Sequence, residues 1–124
     1  MTRHLDNPAA CFVCCQTATG LGVEKGRSVG WLCQECADGH YGTRAIAMRA
    51  SAFDEAQTRA IHAAGAAGGG YLDRIGETDL AKLDPLNWQQ FLEVVFETYP
   101  GAIRAEIDEA VPRTRMEEDE GGEG

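Results

Sequence analysis

Cysteines at positions 11, 14, 15, 33 and 36 constrain this chain more than any other feature. Four of them form two pairs, Cys11-Phe-Val-Cys14 and Cys33-Gln-Glu-Cys36, separated by 18 residues. A two-residue spacer lets a tight knuckle aim both sulfurs at one ion, and two knuckles complete a tetrahedral shell. The C-x2-C-x18-C-x2-C pattern is therefore expected to hold one structural zinc ion per chain. Four thiolates leave no coordination position for water, so such a zinc organises the fold and does no chemistry. A redox-active dithiol and unpaired structural cysteines are the alternatives. The doubled motif argues against the first, because a redox C-x-x-C sits singly in a thioredoxin-like strand–helix setting. Cys15 is read as a bystander, since using it instead of Cys14 would lengthen the first spacer to three residues. His40, four residues beyond Cys36, is a possible substitute ligand but is expected at the surface or at a helix cap. His4 and His62 stand alone and are expected to face solvent.

Composition explains why a metal would be needed. A chain of 124 residues suits one domain. Alanine supplies 18 of its apolar residues, while Leu, Ile, Val and Phe together number only 23, and the formal net charge is −9. Few large aliphatics with high net charge is the compositional mark of disorder, and a structural metal is a common supplement to so small a core. No apolar run approaches the roughly 20 residues of a membrane span. The opening MTRHLDNPAA lacks the hydrophobic segment of a signal peptide. The expectation is a soluble, cytoplasmic protein whose thiols stay reduced.

Residues 1–50 read as a four-cysteine zinc module. Between the knuckles, glycines around Lys25-Gly26-Arg27 and the alternation of Val29 and Trp31 predict a short hairpin. Ala37 to Arg49 is rich in helix formers and predicts a helix rising from the second knuckle, a treble-clef-like layout. Residues 51–111 read as a helical part packed on that module, giving a mainly α fold. Ser51 with Asp54 three residues on resembles a capping box, so a new helix is expected from about residue 52. The expected helix continues, straight or kinked, through Gly68-Gly69-Gly70 to Ile75. Asp84-Pro85 pairs an N-cap with a proline at the first helical position. In the helix that follows, Trp88, Phe91, Leu92, Val95, Phe96 and Tyr99 share one stripe, expected as core. Pro100-Gly101 should end or sharply kink it, with a shorter helix over residues 102–110. Residues 112–124 read as an acidic, disordered tail.

The charge is segregated. Residues 1–70 are formally neutral, 71–100 carry −4 and 101–124 carry −5. An acidic second half repels a polyanion, although Arg44, Arg49 and Arg59 would offer a local basic patch. The chain has no serine nucleophile elbow, P-loop, dinucleotide fingerprint or histidine-rich nuclease set, so no catalytic role is expected. The knuckles CFVC and CQEC, the segment AAGAAGGGYLDRIGETDLAKLDP and Trp88-Gln89-Gln90-Phe91-Leu92 together resemble a family of small phage- and prophage-encoded proteins of uncharacterised function. The resemblance runs over residues 8–108. Cys11, Cys14, Cys33 and Cys36 match its knuckles and Cys15 departs from them. It implies a phage context and no activity. The expected function is protein–protein interaction through the acidic helical half, with a basic protein partner; inhibition of a host defence or nucleic-acid-handling protein is its concrete form. The alternative is a zinc-finger nucleic-acid binder that uses Lys25-Gly26-Arg27, Arg44 and Arg49.

Overall fold

The computed structural model describes residues 4–112; apart from Pro112, the acidic tail lies outside the described residues. Residues 9–18 close into a small loop, in which Ala10 bridges Thr17 and Cys11 N–H donates to Gln16 O at 2.7 Å. Strands β1 (Leu21–Lys25) and β2 (Ser28–Leu32) form an antiparallel hairpin in register from Leu21↔Leu32 to Lys25↔Ser28. Gly26, first of the two loop residues, takes φ 63°, the position a type II′ turn reserves for glycine. Four helices follow: α1 (Gln34–Asp38), α2 (Tyr41–Ala47), α3 (Ala50–Ile75) and α4 (Pro85–Ala110), with a 3-10 turn at Leu80–Lys82. The long pair, α3 and α4, lies side by side and makes the bulk of the molecule.

One core joins the two halves of the chain. Phe12, inside the first knuckle, lies on Gly30, where a Cβ would come within 2.6 Å of its ring. Its other neighbour is Phe53 of α3, with ring centroids 6.3 Å apart. Ile103 and Ile107 of α4 belong to the same buried cluster. The knuckle module and the helices therefore bury each other's apolar surface.

The expected helix over 37–49 is two helices. The break falls at Gly39-His40, where His40 adopts φ 59° and a Cβ at Gly39 would collide with the Tyr41 ring at 2.4 Å. Arg44 gathers the carbonyls at the interruption: Nη2 donates to Gly39 O at 3.1 Å, and Nε to His40 O at 3.2 Å beside its own backbone N–H. The capping box at Ser51 is likewise absent. Buried Met48 and then Arg49 are extended, so α3 starts at Ala50 with Arg49 as an N-cap that makes no side-chain bond. Asp84 caps α4 as its sequence predicts, accepting from Asn87 N–H at 2.8 Å.

Helix α3 runs through its three consecutive glycines, and α4 presses on the first of them. A Cβ at Gly68 would meet Phe91 Cε2 at 2.8 Å and Val95 Cγ2 at 2.9 Å. Helix α4 in turn runs through Pro100 instead of ending there. An internal proline costs about 3 kcal/mol or more; the buried Pro100, Ile103 and Ile107, packed one after another, offset it. The aromatic stripe of α4 is only partly core. Trp88 is 43% exposed and Phe96 66% exposed, with Phe91, Leu92, Val95 and Tyr99 half-buried. Among the described residues, α3 is the main element packed along this end of α4, and its small side chains cover a narrow band.

Two neighbouring glycines should respond oppositely to a methyl group. Gly68→Ala is expected to destabilise by about 1–2 kcal/mol, because stiff Val95 has to move. Gly69→Ala, where nothing lies within 4 Å of the added carbon, should stabilise by up to about 1 kcal/mol through helix propensity. Urea unfolding of both variants checks the sign.

Candidate metal centre

The sulfurs of Cys11, Cys14, Cys33 and Cys36 lie within 4.8 Å of one another, and all four residues are buried. This set could hold a metal ion. Each half is built by local backbone geometry. In the first knuckle Cys15 N–H returns to Cys11 O at 2.9 Å, and the turn closes only because Cys15 takes φ 67°. In the second, Cys33 is the N-cap of α1 and its sulfur accepts from Cys36 N–H at 3.5 Å. The hairpin carries the chain back from one knuckle to the other, with Thr19 N–H bonded to Leu32 O at 3.0 Å.

The donor set fits a zinc-like ion. A tetrahedron with metal–sulfur bonds of about 2.3 Å has edges of about 3.8 Å. Cys14 Sγ and Cys33 Sγ stand 3.6 Å apart, close to that edge and far beyond a disulfide bond. Thiols this close together also share their protons. Hydrogen bonds from the Cys14 and Cys36 thiols hold Cys11 far below the usual thiol range. Its hydrogen bond to Cys11 pushes Cys14 up to about 12, and hydrogen bonds to Cys11 and Cys14 push Cys36 higher still. One thiolate is thus supported by its neighbours' protons, and a bound cation would replace those protons.

Part of that charge is already present as Arg104, which the sequence did not single out. Its Nε lies 3.4 Å from Cys36 Sγ, and its Nη2 lies 3.6 Å from Cys14 Sγ and 3.8 Å from Cys33 Sγ. Nη1 pairs with Glu35 at 3.0 Å. Burial works against the guanidinium charge, but the hydrogen bond and charge of Cys36 outweigh it and raise the Arg104 pKa. No spacing rule could have found this contact, because it spans 68 to 90 positions of sequence. The only available signal was a lone basic residue beside Ile103 in an acidic helix.

The remaining candidates fall outside the cluster. Cys15 is exposed, and His40 is an exposed, left-handed residue that caps nothing with its ring. His4 and His62 are exposed. Of the anticipated basic patch, Arg49 is exposed while Arg44 is withdrawn into the interior. Arg44 is 0% exposed and clasps Asp108 at 2.8 Å and Val111 O at 2.9 Å. Arg59 pairs with Glu106, and Lys25 Nζ donates to Ile46 O at 3.2 Å at the end of α2. Of these cations, the buried Arg44 ties α2 to the end of α4.

Two sets of variants test the centre. Cys36→Ser should lose bound zinc together with cooperative unfolding, whereas Cys15→Gly should keep one zinc per chain and gain about 1 kcal/mol by relieving the left-handed residue. Metal analysis and thermal melts separate them. Arg104→Met should retain zinc but weaken it about 10–100-fold, as loss of an outer-shell partner does; competition with a chromophoric chelator measures this.

No curated protein and no solved structure matches the chain. A family profile described as a family of unknown function (DUF6511) matches residues 51–120. The matched region takes in both long helices, Arg104 included, and leaves the four cysteines outside it. With more than half of its residues covered by that match, the chain belongs to this family of unknown function.

Proposed function

We propose that this protein is a non-enzymatic interaction module. One structural zinc, held by Cys11, Cys14, Cys33 and Cys36 in a treble-clef-like unit, would fix the base of the two long helices, and the acidic helical half would dock on a basic protein partner. The observation that carries this reading is on α4: Phe96, 66% exposed, stands between the exposed carboxylates Glu93 and Glu97. A large apolar side chain left in water beside negative charge suits a surface that is steered by charge and then held by burial. Zinc coordination by four thiolates would remove further positive balance, taking the formal charge from −9 toward about −11. Among the described residues, no helix is long and apolar enough to cross a membrane. The likeness of the knuckles and of the GGYLDRIGETDLAKL stretch to small phage-encoded proteins supports a concrete form: an inhibitor that covers the nucleic-acid-binding surface of a host cytoplasmic protein.

The charge-reversed variant Glu93→Lys/Glu97→Lys tests the reading. A partner captured by the wild-type protein from bacterial lysate should associate about tenfold more slowly with the variant at low salt. Its association with the wild type should slow as salt rises. A salt-independent association rate, or tight retention of the protein on duplex DNA, would overturn the proposal.

A further inference from the structure

Between the knuckle turn and the two long helices lies an apolar trough of about 480 Å³. Ile61, Ala64 and Gly65 of α3 form one wall, and Phe91, Val95 and Phe96 of α4 the other. The turn Cys14-Cys15-Gln16 and Tyr99 close the end nearest the cysteine cluster. Three features mark it as a seat and not a packing fault. A Cβ at Gly65 would meet nothing within 4 Å, so the α3 wall is bare where a side chain would otherwise fill the space. Ile61 and Phe96 stand 39% and 66% exposed at its lips. A volume of this size falls within the range of ligand clefts.

Resting on the interaction role proposed above, we propose that this trough seats one amphipathic helix of the partner. That helix would carry large aliphatic side chains along a single stripe and lysine or arginine beside them. Two arguments choose this occupant. Both long walls are helices whose backbone groups are already paired, so the trough has no strand edge to which an extended segment could add. An incoming segment must satisfy its own backbone hydrogen bonds, and a helix does so. The charge around the trough selects the flanks. Glu93 and Glu97 are exposed on α4, and Glu97 lines the adjoining trough that shares Phe96 and Gln16, where Arg104 is already paired with Glu35. A second copy of this chain would bring the same negative rim against itself, which disfavours self-pairing. Phe91 to Tyr99 spans roughly 12 Å of helix, enough to receive anchors spaced i, i+4 and i+7.

The test uses the full-length, zinc-loaded protein and two labelled 18-residue peptides with leucines at that spacing, one with lysine and one with glutamate elsewhere. Fluorescence anisotropy should show saturable binding of the lysine peptide, at least tenfold tighter than the glutamate peptide. Gly65→Leu, which fills the trough from an unobstructed position, should weaken binding at least tenfold without lowering the melting temperature. Phe96→Ser should do the same by removing a lip. Binding that neither variant weakens overturns the trough as the seat while leaving the acidic docking surface standing. Equal affinity for both peptides, or binding of neither, overturns the basic amphipathic occupant. A monomer–dimer equilibrium in sedimentation that Gly65→Leu abolishes would give the trough to a second copy and overturn the proposal as well.

Discussion

Four sulfurs drawn within 4.8 Å of one another in the interior pose an electrostatic problem that the rest of the molecule is arranged to solve. Thiolates taken out of water repel each other strongly, and a divalent cation removes only part of the excess. Arg104 supplies another positive charge from α4, on three of the four sulfurs. For its side chain to reach them, α4 must pass directly over the knuckles. That path puts Ile103 and Ile107 into the same core as Phe12 and Phe53, and it brings Asp108 within reach of Arg44. Charge compensation at the cluster and packing of the long helices are thus one arrangement.

This coupling also accounts for a helix that ignores its own proline. Pro100 sits one turn before Arg104, so ending α4 there would detach the cation from the cluster and the two isoleucines from the core. Packing and charge together outweigh the lost hydrogen bond. At the other end of α4 no such reward exists. The distal half meets mainly the small-residue face of α3, with Gly68 allowing close approach and Tyr71 bonded to Asn87 and Gln90, and Trp88 and Phe96 remain at the surface.

Much of the site was legible because it is local. Cysteine spacing picks out the four residues whose sulfurs cluster, and Gly26 marks the hairpin turn. Asp84-Pro85 marks the start of α4 for the same reason, since a cap depends on its immediate neighbours. Reading failed where a distant partner decides the outcome. Nothing between residues 37 and 49 announces that Arg44 will gather the carbonyls of a broken helix and tie them to Asp108 and Val111. The same blindness made Arg44 look like a surface cation and hid Arg104 altogether. The apolar stripe of α4 was correctly periodic, but periodicity reports a face and not whether anything covers it.

The contact between Arg104 and Cys14 joins residues 90 positions apart, and this has a consequence for synthesis. A chain leaving the ribosome at roughly 5–20 residues per second presents both knuckles seconds before Arg104, Asp108 and Val111 exist. During that interval the sulfurs can gather metal, but the guanidinium that balances them and the carboxylate that anchors Arg44 have yet to emerge. The N-terminal half therefore gains its long-range partners only once α4 has been made. Until then the four sulfurs lack the guanidinium that α4 lays over them.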